Sequence, residues 1–306
     1  MARVIILVDG PSCPGLRVEV AGGGRLLLRQ GDRVVLLGRQ RAWWRGVYYA
    51  RTGLYRSPLP PVSAAQARRF GGMAGDGSGW AERWAHKFSR RLKAAAEGPL
   101  HAGGWTLEPG MPAWSAAQHW GRLWATDRDQ GHITWFGYGD PEEDARDVLP
   151  LRRLSPAGAA RVESYRRQCR EGILPPALLW WVSGLNTLLV LDGHDRIMAA
   201  LAEDTLPLVV VLAPAADPRW VSAWQQGRVH EYQKRLEALQ PLAGAGDQLA
   251  ALKIGNASRH LAAELANAAR AEGRTRAWLL PGGRATWDQE AARIPGWLTQ
   301  IKTARS

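Results

Sequence analysis

Five consecutive residues, Asp192-Gly193-His194-Asp195-Arg196, concentrate side chains able to do chemistry. They interrupt "LLVLDGHDRIMAALAE" (188–203), which is apolar before them and helix-forming after them. A glycine at such a corner lets the backbone turn tightly and lets a ligand approach it closely. A helix opening after Gly193 would leave its first N–H groups unpaired. The helix dipole alone then favours an anion there by about 0.3–1 kcal/mol. Arg196 adds a fork of donors suited to phosphate oxygens. His194 can donate a hydrogen bond, or act as acid or base near neutral pH. The residues support two readings. One is a phosphate cradle; the other is an ordinary strand–turn–helix in which Arg196 pairs with Asp192 or Asp195.

The flanking stretches predict the elements that would position this corner. "VLPLRRL" (148–154) reads as a short strand. Ser155 and Pro156 supply an N-cap and a first-turn proline for the next helix. Val162, Tyr165 and Cys169 share one face of that helix, and Gly172 stops it. "ILPPALLWW" (173–181) and "TLLVL" (187–191) are apolar strands joined through a "SGLN" hairpin turn. A short helix over about 196–203 follows the corner, and "LPLVVVL" (206–212) is another buried strand. The small pair Ala199-Ala200 lets the helix pack closely on the sheet.

"DGHDRIMAA" has the pattern Gly-x-x-Arg-x-x-Ala-Ala. With its flanks it resembles the ParB/sulfiredoxin superfamily over roughly residues 148–212. Asp-Gly-His-x-Arg is closest to the free-serine kinase branch. The resemblance implies ATP or CTP, with Gly193, His194, Asp195 and Arg196 on the phosphates. It implies phosphoryl transfer to a small hydroxyl substrate, or hydrolysis of the nucleotide. Asp195 departs from the branch, which tends to have a neutral residue there. A carboxylate beside a phosphate is repulsive unless Mg²⁺ lies between them, which makes Asp192 and Asp195 candidate metal ligands. His194 and Asp192 are candidate catalytic residues. The branch's catalytic glutamate near the start of the first helix is missing from "SPAGAAR" (155–161). Glu163 in the helix is the candidate replacement, with Glu142, Glu143 and Asp144 upstream. The sulfiredoxin branch has a catalytic Cys where this chain has His194. Partition-type ParB proteins have a second motif arginine and a helix-turn-helix, and no such signature follows residue 216. The alternative functions are a nucleotide-responsive DNA-binding protein and an interaction module of the same fold without chemistry.

The 306 residues suggest two domains, or two with a third small unit, and the 46% hydrophobic content is that of a globular chain. No apolar run approaches the ~18–20 residues of a membrane span. "MARVIILVDG" reads as a first strand rather than a signal peptide. Two cysteines make neither a disulfide framework nor a metal site, so a cytoplasmic setting is expected. The net charge of +12 favours nucleotides, nucleic acid or acidic proteins as partners. An arginine-rich composition of this kind also fits a GC-rich genome.

The expected fold is α/β (α+β), in four stretches. Residues 1–62 form a β-rich unit. Its "GDRVVLLGRQRAWWRGVYYARTGLYRSPLPPV" resembles a small Src-homology-3-type barrel. Residues 63–146 are linker and helix/strand; in them Trp80, Trp84, Phe88 and Leu92 recur every four residues, and Lys87, Arg90, Arg91 and Lys93 make a basic face. Residues 147–215 are the ParB/sulfiredoxin-like domain. Residues 216–306 are mainly helical, with Asp217-Pro218 opening the first helix and "RTRAWLL-PGG-RATW" (274–287) reading as a strand and turn before a short last helix.

Overall fold

The structure, a computed structural model, describes residues 3–40, 46–72, 78–111, 128–134, 148–268 and 273–299. Strands β1 (Val4–Val8), β2 (Leu16–Val20), β3 (Arg25–Gln30), β4 (Arg33–Gln40) and β5 (Gly46–Arg51) precede helices α1 (Ala64–Arg69) and α2 (Ser78–Lys93). Strands β6 (Gly103–Pro109), β7 (Gln130–Thr134) and β8 (Val148–Pro150) follow. Next come α3 (Ala160–Arg170), β9 (Ala177–Val182), β10 (Thr187–Asp192), α4 (His194–Ala202) and β11 (Val209–Pro214). The rest is α5 (Pro218–Gly244), α6 (Gln248–Ala268), β12 (Ala277–Leu279) and α7 (Gly283–Ala292).

The fold is mixed α/β with two open six-stranded sheets. One has the order β1-β6-β11-β9-β10-β8, and the other β12-β2-β3-β4-β5-β7. In the first, β10 runs parallel to β8 and antiparallel to β9, which is parallel to β11. Strands β9, β10 and β11 are buried on both faces, and they are continuous apolar runs. Leu178, Trp180 and Val182 of β9 enter the large cluster that α2 covers; Ala177, Leu179 and Trp181 enter a second cluster with Ile197 of α4. The four-residue periodicity of α2 is fulfilled, with Trp80, Trp84, Phe88 and Leu92 all buried.

Chain segments that look separable along the sequence share cores here. Met1–Pro214 and Arg274–Ser306 form one compact unit, and Ala215–Gly273 forms another. The large cluster joins residues of both sheets, so residue 62 marks no boundary between cores. β1 leaves the N-terminal strands and pairs with β6 in the other sheet. The expected N-terminal barrel is, among the described residues, four strands of an open sheet extended by β7 and β12. Residues 274–299 do not belong to the helical unit either; Trp287 of α7 is buried with Leu27 and Leu37 of the second sheet.

The helical unit contains α5 and α6, with Asp217 accepting from the Arg219 N–H at 2.8 Å as the N-cap of α5. It has seven Arg and Lys against six Asp and Glu, so eleven of the twelve net charges lie in the two-sheet unit. No helix among the described residues is long and apolar enough to cross a membrane.

Candidate functional site

The corner is prepared by β10 itself. Its register against β9 shifts between Val190 and Asp192, a bulge in which Leu191 is the extra residue. The Leu191 carbonyl accepts from the Tyr55 hydroxyl at 2.6 Å. Burial, and then the charge of Asp192, hold the Tyr55 phenol well above its usual pKa, so it remains a donor. Gly193 then turns the chain at φ 96°. A Cβ there would lie 2.9 Å from both Cα and Cβ of Ala177 on β9, so conformation and space both require glycine. α4 starts at His194, two residues earlier than the sequence suggests, and no side chain caps its first turn.

Arg196 is buried and reaches back along α4. Its Nη2 donates to Asp192 Oδ2 at 2.5 Å, and Ser57 Oγ donates to Asp192 Oδ1 at 2.9 Å. The ion pair expected of an ordinary turn is therefore present, yet it uses only part of the guanidinium. Arg196 Nη1 is buried with no hydrogen-bond partner among the described residues. His194 Nε2 is in the same condition, with its ring centroid 6.0 Å from that of Tyr55. Burial, followed by the positive charges of Arg152, Arg51 and Arg196, pushes the His194 pKa well below 6.5. The imidazole is neutral at pH 7.

Asp195 turns to arginine and serine. Ser155 Oγ donates to its Oδ1 at 2.7 Å, while Arg152 Nη2 lies 2.9 Å and Arg161 Nε 3.9 Å from its Oδ2. Ser155 is thus not the N-cap of α3; that place falls to Ala159, which has no capping side chain. The helix opens only at Ala160, so Ser155 and Pro156 lie ahead of its first turn, and the Ser155 hydroxyl serves Asp195 instead. The C-terminal expectation holds: Gly172 has φ 68°, and the Ile173 N–H donates to the Gln168 carbonyl at 2.9 Å.

Asp192 and Asp195 are therefore each engaged by an arginine. Among the described residues no group of three or more His, Cys, Asp or Glu side chains could hold a metal ion. An Mg²⁺ held between these two carboxylates does not fit that pairing. Glu163 is not joined to the corner. Its Oε1 accepts from Arg166 Nη1 at 2.6 Å, and Arg166 Nε bonds Glu203 at the far end of α4. Glu142, Glu143 and Asp144 lie outside the described residues.

Several residues of the site escape sequence reasoning because they come from distant segments. Tyr55 and Ser57 follow β5 and Arg152 follows β8. Buried Arg51 fixes that last segment through bonds from Nη1 to the Pro150 and Arg152 carbonyls at 3.2 and 3.1 Å. The doubled arginine of "VLPLRRL" was the available signal for Arg152. The basic face of α2 lies close enough for Arg91 to feel both Asp192 and Arg196. Arg91 itself ties α2 to Pro60 O and Gln66 Oε1. Lys87 lies over the rings of Phe70 and Trp84, at 4.1 and 4.7 Å. Burial, then Arg91, Arg90 and Arg69, lower its pKa to about 8.

No family model, no curated protein and no solved structure matches this chain.

Proposed function

We propose that this chain binds a nucleoside phosphate, ATP or CTP, with its phosphates at the corner formed by Asp192 to Arg196. One observation carries the proposal. Two buried polar atoms, Arg196 Nη1 and His194 Nε2, have no partner among the described residues beside the uncapped N-terminus of α4. Leaving a buried donor unsatisfied costs about 1–3 kcal/mol, and more where the group is charged. A phosphate would offset that cost, accepting from Arg196, from neutral His194 protonated at Nε2, and from the first backbone N–H groups. The succession β8, α3, β9, β10, α4 and β11 within one sheet region supports a ParB/sulfiredoxin-like domain.

In this proposal His194 holds a phosphate oxygen through its Nε2–H, and the bound nucleotide gives its phosphoryl group to a small hydroxyl substrate or to water. Asp192 positions Arg196 rather than touching phosphate, and Asp195 is neutralised by Arg152. Mg²⁺ arrives with the nucleotide, and Glu163 has no part in the site.

A thermal-shift panel of ATP, CTP, GTP and ADP, with and without Mg²⁺, tests the proposal. At least one triphosphate should raise the melting temperature. Arg196→Ala should weaken its binding about 100-fold, the equivalent of roughly 3 kcal/mol for a charged, buried contact. Circular dichroism checks that the variant is folded. Unchanged affinity in folded Arg196→Ala, or no shift with any nucleotide, overturns it.

A further inference from the structure

We infer that the pocket beside Arg196 binds a small carboxylic acid with a compact apolar body. Its volume is about 150 Å³. That is the size of cavity that accepts a single benzene ring. Its walls are Leu174 and Pro175 after α3, and Leu206, Pro207 and Leu208 after α4, with Cys169 and Thr205 beside them; Arg196 is the one charged side chain lining it among the described residues. Ala177 and Ala200 also line it, and their small side chains keep the space open. Leu206 is 66% exposed and Leu208 40% exposed, so apolar surface stands in water at the pocket.

The polar end of the ligand follows from the state of Arg196. Asp192 holds Nη2 and fixes the plane of the guanidinium, while Nη1 is buried and unpartnered. A hydrocarbon would fill the volume and leave Nη1 unsatisfied. A phosphate group at the corner would satisfy Nη1 but has no apolar body to cover the leucine, proline and alanine walls. A monoanionic carboxylate meets both demands, with one oxygen on Nη1 and its apolar body against the leucines and prolines. This site shares Arg196 with the nucleotide proposal and rests on the same view of that side chain as an anion receptor. The acid and the nucleotide therefore compete for Nη1.

Titration calorimetry with sodium benzoate as the probe, and benzyl alcohol as its neutral counterpart, tests the inference. Benzoate should bind at least about tenfold tighter than benzyl alcohol and should weaken nucleotide binding. Ala200→Leu fills the pocket and should lower benzoate affinity at least about tenfold while leaving nucleotide affinity within about twofold. Leu206→Glu is an exposed substitution that the fold tolerates, and its carboxylate should repel benzoate to a similar degree. Nucleotide binding without benzoate binding overturns the pocket and spares the nucleotide proposal. Benzoate binding that both variants lose, without any nucleotide binding, supports the pocket and overturns the nucleotide proposal. Benzoate affinity unchanged in Ala200→Leu and Leu206→Glu overturns the pocket.

Discussion

His194 is a buried imidazole surrounded by arginine, and its protonation has a thermodynamic signature. Its pKa in the fold lies well below the 6.5 of the free side chain, first through burial and then through Arg152, Arg51 and Arg196. As pH falls below about 6.5 the unfolded chain takes up this proton before the folded chain does. The His194 contribution is therefore constant above about pH 6.5. Below that it erodes stability by up to about 1.4 kcal/mol per pH unit until the folded group also protonates. His194→Gln should flatten the stability profile between about pH 6.5 and 5, measured as urea midpoints across that range. Equal slopes for the two proteins would mean that the folded imidazole protonates as freely as the unfolded one. Arg196 shows the companion lesson: pairing with Asp192 and receiving an anion are compatible, because a guanidinium has more donors than one carboxylate contact uses.

At the scale of elements, the corner depends on a strand, a bulge and a helix meeting at Gly193. A side chain there faces left-handed backbone strain of about 1–3 kcal/mol, plus the approach to Ala177. Gly193→Ala should cost at least about 2 kcal/mol by urea unfolding, because the backbone of β9 cannot give way as a flexible side chain would. Gly158→Ala, with open space around it, is the control and should lie within about 0.5 kcal/mol of the parent. Much of this level was legible. The period of four in α2, the apolar runs of β9 to β11, the "SGLN" turn and the Gly172 stop each arise from local propensity and side-chain spacing. Ser155 was not legible, because its hydroxyl serves Asp195, forty positions away. A capping preference is a local rule; here the helix opens later, at Ala160, and the hydroxyl is used in a tertiary hydrogen bond. The roles of Tyr55, Ser57 and Arg152 were hidden for the same reason: each depends on contacts made only after distant strands have packed.

At the scale of the molecule, the second sheet is completed by the late chain segment that begins at Arg274. Trp287 is 1% exposed, donates its indole N–H to the Leu26 carbonyl at 2.8 Å, and lies with its ring 5.4 Å from that of Trp297. Trp287→Ala should cost about 3–5 kcal/mol, the usual penalty for emptying a buried tryptophan site, read from far-ultraviolet circular dichroism in urea. A loss below about 1 kcal/mol would mean that α7 is dispensable to the sheet. The sequence reads "RTRAWLL" as a strand before a last helix, but not the sheet it joins, because strand pairing at long separation leaves no periodic trace. β12 has only three residues, and its place is set by β2 rather than by its own composition.

The parallel pairing of β12 with β2 also sets an order of events during synthesis. Ala277–Leu279 pairs with Val18–Val20, so the outer edge of β2 has no strand beside it until Ala277–Leu279 has left the ribosome. An uncovered strand edge is a template for pairing with other chains, and pairings at long sequence separation form slowly. The nascent protein therefore carries its greatest aggregation hazard in the interval between translation of β2 and arrival of β12. Chaperone demand should be concentrated there.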